Sequence, residues 1–206
     1  GVSRSLLNHF GLSGTGVHDS HKCKQVRDDL HFSIQSKAMT ALIGPYQSGK
    51  TYLMRQVKRV APKSVIFVHV KAFEDQWIRI GSILTAIIQD TSTESVRRDM
   101  ETRSRQVIRI LGNLVVNEGK QICLVIEDCH RLHVNTLNTL KLMREADFAG
   151  HAPLFSVIML GWPEFLDKLS NRRDILERIT SMRLSQDNGW FTYPERVQYL
   201  ENVFGQ

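Results

Sequence analysis

Apolar runs alternate with helical stripes through most of the chain. Val26, Leu30 and Ile34 recur at helical spacing and predict a helix over 20–36. Ala38 to Ile43 is a short apolar run, read as a buried strand, and Thr51 to Val60 reads as the helix after it. Pro62 marks the approach to a second apolar strand, Val65 to Val68. Trp77, Ile80, Ile83, Leu84 and Ile87 make a helical stripe over 76–89, a pattern that points to core packing. Thr91 to Glu94 break it and offer an N-cap. The helix that follows should reach Asn117 with Val107, Ile108, Leu111, Leu114 and Val115 inside. Gln121 to Ile126 is a third strand, 135–148 a helix stopped by Gly150, and 154–160 a fourth strand closed by Gly161, Trp162 and Pro163. Short helices are expected over 163–170 and 173–179, a fifth strand over 181–184 and a last helix over 194–204.

Strands that alternate with helices predict an α/β fold, a parallel five-stranded sheet covered on both faces. Such sheets bind ligands at the carboxyl ends of their strands. The segments divide into an N-terminal lead-in (1–19), a core (20–186) and the start of a C-terminal helical lid (187–206), where the chain stops.

Composition adds little until charge is considered. The 206 residues can bury a sizeable core, and a hydrophobic content of 42% is ordinary for a globular protein. No apolar run approaches a membrane span, and the N-terminus lacks the layout of a signal peptide, so no membrane partner is expected. Cys23, Cys123 and Cys129 make no disulfide framework, which suits a reducing, cytoplasmic location. The net charge of +6 suits a polyanionic partner.

Candidate chemistry begins where the first strand ends. Gly44-Pro45-Tyr46-Gln47-Ser48-Gly49-Lys50-Thr51 fits G-x-x-x-x-G-K-[ST], the phosphate-binding loop of P-loop NTPases, in the strand–loop–helix setting the motif requires. Its glycines let backbone N–H groups close on phosphate oxygens, and the helix start adds a favourable dipole. Lys50 would reach the β- and γ-phosphates of ATP and Thr51 would ligate Mg²⁺, with Tyr52 just beyond. Glu127 and Asp128 end the third strand; one carboxylate would serve the Mg²⁺ ion and its neighbour would polarise the attacking water. A GTPase is disfavoured, because no Asn-Lys-x-Asp segment occurs.

The surroundings narrow the class. Leu124-Val-Ile-Glu-Asp-Cys-His-Arg-Leu132 is similar to the second site motif of AAA+ ATPases, and 156–166 resembles their fourth strand and the turn after it. Ile175 to Ile179 and Met182 to Ser185 resemble the arginine-finger helix and fifth strand. Together with the phosphate loop these segments resemble the MuB, TnsC and ExeA branch of AAA+ proteins over about residues 20–200. The resemblance implies an ATP-dependent regulator of DNA transposition. Such a protein forms homo-oligomeric filaments or rings on duplex DNA and recruits or stimulates a transposase. An ExeA-like secretion ATPase with no DNA role is the alternative it leaves open, and an arginine-rich lid of a small-molecule kinase is not evident. By resemblance Arg178 is the arginine finger that completes a neighbour's site; the other reading pairs it with Asp174 on its own helix, with Arg172 and Arg173 as competing candidates.

Two departures from the pattern matter. The acidic order is Glu127 then Asp128 where the family has Asp then Glu, so Glu127 takes the metal position and the shorter Asp128 addresses water from further away. A displacement of about 1 Å can cost roughly 100-fold in rate, so slow hydrolysis is expected. Gly161-Trp162 also replaces the polar sensor after the fourth strand.

The resemblance assigns DNA contact to the segment after the second strand, with Lys71, and to the following insertion, with Thr93, Arg97, Arg98 and Arg103. Such side chains suit phosphate contacts, although Asp99 and Glu101 interleave as they would on a solvated face. Cys129-His130-x-x-His133 has part of a zinc spacing but lacks a second ligand pair.

Overall fold

The computed structural model describes residues 21–46, 48–71, 77–170 and 172–184. The expectations for 1–19, for Gln47, for a helix over 194–204 and for a lid over 187–206 lie outside the described residues.

Alternation of apolar strands and amphipathic helices gives the expected layered α/β architecture. In chain order the elements are α1 (His21–Gln35), β1 (Met39–Ile43), α2 (Lys50–Val60), β2 (Val65–Val70), α3 (Ile80–Thr91), α4 (Met100–Gly112), β3 (Gln121–Ile126), α5 (Val134–Glu145), β4 (Phe155–Gly161), α6 (Glu164–Leu169), α7 (Arg173–Leu176) and β5 (Ile179–Arg183). The sheet order is β2-β3-β4-β1-β5, and every pairing is parallel. All strands therefore end at one edge, which gathers the loops that follow them.

Both faces of the sheet are covered, which is why β1, β3 and β4 read as continuous apolar runs. On one face Leu42, Cys123, Val125, Ile158 and Leu160 pack with Leu30 and Ile34 of α1 and Leu53, Met54 and Val57 of α2. On the other, Ile122, Leu124, Ile126, Val157 and Met159 meet α3 to α7. No helix among the described residues is long and apolar enough to cross a membrane.

Several boundaries differ from the sequence expectation. The helix expected over 76–89 starts only at Ile80, and Trp77 lies outside it, 56% exposed, instead of joining the core. Ile78 takes the buried place, held by hydrogen bonds from its N–H to Arg131 O (3.0 Å) and from His133 N to its carbonyl (3.4 Å). The next helix begins at Met100 and not after Glu94, because Asp99 is the working N-cap, accepting from Thr102 N at 2.8 Å. Glu94 is used elsewhere, accepting from Arg109 (2.6 and 2.7 Å) and Gln106 (3.0 Å). The end of this helix widens into a π-helical turn over Asn113–Asn117. The helix expected over 135–148 stops at Glu145, and β5 covers 179–183 instead of 181–184.

Candidate nucleotide site and an adjoining basic cleft

The loop after β1 is shaped by its glycines. Gly49 precedes α2 with φ 82°, a left-handed conformation that side chains resist. At Gly44 a Cβ would lie 2.8 Å from Ser48 Oγ and 2.9 Å from Leu184 Cβ, so a side chain there would wedge the loop off β5's end. Gly44 N donates to Gly161 O at 3.1 Å, tying the loop to the end of β4. The start of α2 carries no side-chain cap and no acidic residue in its first turn, which leaves its positive end to a ligand. Lys50 Nζ donates to Gly44 O (2.7 Å), Pro45 O (2.6 Å) and Ser48 Oγ (3.0 Å), which sets the ammonium across the loop. Burial lowers the Lys50 pKa, partly offset by the Cys129 and Asp128 groups. Thr51 and Tyr52 are exposed at the head of the helix, and Ser48 is half-buried.

The two carboxylates diverge. Glu127 N continues the ladder to Val70 O at 2.9 Å, and its side chain pairs loosely with Lys71 at 3.9 Å. It also contributes to the electrostatics of Lys58 and His69. Asp128 turns with φ 53°, ψ 46°, a left-handed conformation that Asp tolerates, and is the carboxylate felt by Lys50. A short 3₁₀ turn over Cys129–Arg131 follows. Buried Cys129 presses on Gly161, where a Cβ would come within 2.3 Å of its Sγ. The residues that line this edge fit ATP and Mg²⁺: a loop open to backbone donors, a lysine laid across it, the Thr51 hydroxyl and two carboxylates.

The position given to a sensor holds an aromatic stack. Trp162 lies flat on His130, centroids 4.3 Å apart at 8°. Burial lowers the His130 pKa, and its buried Nδ1 has no hydrogen-bond partner. In the zinc spacing, Cys129 is fully buried while His133 is exposed and caps α5, its Nδ1 accepting from Asn135 N at 3.2 Å.

Arg178 does not pair with Asp174. It reaches Glu145 at the end of α5, at 2.6 Å. Arg172 takes Asp174 at 3.4 Å and Asn138 at 3.0 Å instead. Arg178 immediately precedes β5 at the amino edge of the sheet, whereas Gly44 follows the Ile43↔Arg183 pair at the carboxyl edge. The intervening five-residue strand is about 16 Å long, so Arg178 faces away from its own phosphate loop.

The residues expected to touch DNA fall into two groups. Lys71 and Arg103 line one cleft of about 710 Å³ between the end of β2, the start of α3 and the start of α4. Thr93, Arg97 and Arg98 are exposed, and the backbone of the two arginines adjoins the cleft through Arg103. Their loop is built by α4: Arg103 donates to Arg97 O (2.8 Å) and Arg98 O (3.1 Å), and buried Gln106 accepts from Arg97 N (3.2 Å) and donates to Ser95 O (3.0 Å). The sequence did not single out Arg79 and His69, which line the cleft as well. Nor did it mark Gln106, whose only signal was a polar residue on an apolar helical face. The cleft and the phosphate loop share the carboxyl edge, three strand spacings or about 14 Å apart.

An AAA domain family model matches residues 33–169. The chain belongs to the AAA domain family. This AAA domain also resembles solved structures. Cdc6p from Pyrobaculum aerophilum matches with a TM-score of 0.66 at 18% identity, over 96% of this chain and 52% of that one. A Drosophila ORC structure bound to GC-rich DNA and Cdc6 gives 0.61 at 15% identity, over 97% of this chain and 33% of that one. Drosophila ORC bound to poly(dA/dT) DNA and Cdc6 gives 0.56 at 12%, over 88% and 31%. At these identities the likeness concerns the fold, the parallel five-stranded sheet of a P-loop AAA+ domain. The chain spans about half of the archaeal protein's length and a third of the insect ones. No curated protein sequence gives a significant match.

Proposed function

We propose that this AAA domain binds and hydrolyses ATP with Mg²⁺ and uses the nucleotide to assemble copies of itself on duplex DNA, as a regulator of transposition that recruits or stimulates a transposase. The observation that carries the ATP reading is Lys50, laid across the Gly44–Ser48 loop within electrostatic reach of Asp128. Backbone N–H groups of the loop and the head of α2 hold the phosphates, and Lys50 neutralises them. Thr51 and Glu127 would hold the metal, which when bound would draw charge from the phosphates. Asp128 orients water and takes up its proton. The Lys71–Glu127 pair and the short reach of Asp128 favour slow turnover.

Arg178 supports the assembly reading. It faces away from its own loop, so it serves a second copy, and release from Glu145 frees it to do so. The duplex reading draws support from exposed Thr93, Arg97 and Arg98, from Lys71 and Arg103 in the cleft, from the net charge, and from structural neighbours solved with DNA. The transposition role rests on the resemblance to MuB and TnsC alone.

Negative-stain microscopy with duplex DNA, with and without a slowly hydrolysed ATP analogue, tests the reading. Filaments or rings should form only with both ligands, and Lys50→Ala should abolish them. Discrete particles in every condition, with ATP binding intact, would overturn the assembly reading in favour of an ExeA-like ATPase.

A further inference from the structure

We infer that His130, laid flat on Trp162, is a positioning residue for ATP hydrolysis: the stack locks the turn after β3 and so keeps the Asp128 carboxylate in register with the phosphate loop. The inference deepens the ATP reading above and rests on it.

Hydrolysis needs groups from two different strands to keep a fixed separation. In that reading the water oxygen bonds to the γ-phosphorus as the bond to the ADP oxygen breaks, and the water proton passes to Asp128. The phosphate loop follows β1 and Asp128 follows β3, and in the sheet β4 lies between those two strands. The end of β4 is therefore the neighbour that both share. On the loop side, Gly44 N donates to Gly161 O at 3.1 Å. On the acidic side, the next residue, Trp162, carries the His130 ring, with centroids 4.3 Å apart and planes 8° from parallel.

Asp128 depends on such support. Its left-handed backbone, φ 53° and ψ 46°, is tolerated by Asp and not preferred. The 3₁₀ turn after it is closed by Arg131 N on Asp128 O (2.8 Å) and Leu132 N on Cys129 O (3.0 Å). Hydrogen-bond geometry in such turns is poor, so packing has to hold them. Cys129 pins the inner side of the turn against Gly161, and the Lys168 ammonium holds the carbonyls of His130 and Leu132. The stack is the side-chain tie that completes the seat.

The imidazole works by its face. His130 Nδ1 is buried and has no hydrogen-bond partner among the described residues. A buried histidine kept for its hydrogen bonds would have that nitrogen paired. Near-parallel planes at close approach are what two aromatic rings use to pack. Trp162 is 37% exposed, so its indole is not spent on filling the core and is free to serve as a platform at the rim.

The test is steady-state ATP hydrolysis by the full chain with duplex DNA, read beside affinity for a fluorescent ATP analogue and the melting temperature. His130→Ala and Trp162→Ala should each lower kcat on the order of ten- to hundredfold while ATP still binds as it does to the parent. His130→Phe and Trp162→Phe, which keep a ring on each side, should retain most of the turnover. His130→Asn, which keeps polar atoms and loses the face, should be as slow as His130→Ala. The double variant His130→Ala with Trp162→Ala should be no slower than either single one, because one stack is lost once. A His130→Ala variant with parental kcat would overturn the proposal. So would His130→Phe as slow as His130→Ala at an unchanged melting temperature, or losses that multiply fully in the double variant. A parent chain that binds ATP and never turns it over ends the hydrolysis reading and this inference together, whereas an active parent matched by His130→Ala ends the inference alone.

Discussion

Individual atoms decide how tightly the nucleotide edge is drawn together. Gly161 has no room for a methyl group against Cys129 Sγ. Gly161→Ala should cost about 1–3 kcal/mol through overpacking, read as a lower urea midpoint, and should reduce ATP affinity by shifting the carbonyl that Gly44 uses. Asp128→Asn is a cleaner chemical test, because Asn also tolerates the left-handed backbone; ATP should still bind while steady-state hydrolysis falls. Unchanged hydrolysis would remove Asp128 as the base. Burial pushes the Cys123 thiol up to about 12 and Cys129 higher still, so neither should react with a thiol reagent at pH 8 until the protein unfolds. The phosphate loop and the acidic pair were legible because their chemistry forces a local spelling. Trp77 was not, since periodicity cannot say whether Trp77 or Ile78 is the anchor, and only the carbonyl of Arg131, remote in sequence, decides it.

Among the elements, α4 does most to position other parts. Its buried Gln106 and its Arg109 clamp the preceding segment through Glu94, Ser95 and Arg97, which displays the exposed arginines. Hydrogen bonds from Arg109 and Gln106 lower the Glu94 pKa. A depressed carboxyl pKa stabilises the fold above its unfolded value of about 4.3, and that contribution is lost as pH falls through the folded value. The protection of amides 92–99, taken relative to their intrinsic exchange rate at each pH, should therefore fall as pH drops through the lowered Glu94 pKa, and Glu94→Gln should show less of this change. The strands were readable because both faces of a parallel sheet are apolar. Helix starts were less so: Thr91 to Glu94 and Asp99 both carry capping side chains, and tertiary contacts draw Glu94 away from the capping role. β5 came two residues early because its pairing with β1 starts at Met39↔Ile179.

For the whole molecule, the parallel sheet sets the phosphate loop at one edge and Arg178 at the other. Two copies joined through these features meet by unlike surfaces, a head-to-tail contact that closes into a ring or continues as a helix. Lys50→Ala and Arg178→Ala should each abolish turnover when alone. Mixed in equal amounts they should recover activity at about one junction in four, where an intact loop meets an intact arginine. Turnover of the mixture no higher than that of either variant would sink the shared-site reading. A head-to-tail chain also has two chemically distinct tips, one offering an open nucleotide loop and the other an unused arginine. The two variants would then act as terminators of opposite direction. A trace of Lys50→Ala blocks elongation where a loop is needed next, and Arg178→Ala blocks it where an arginine is needed. Under the proposed assembly, growth on DNA would take its direction from the phosphate loop and Arg178 lying at opposite edges of the parallel sheet.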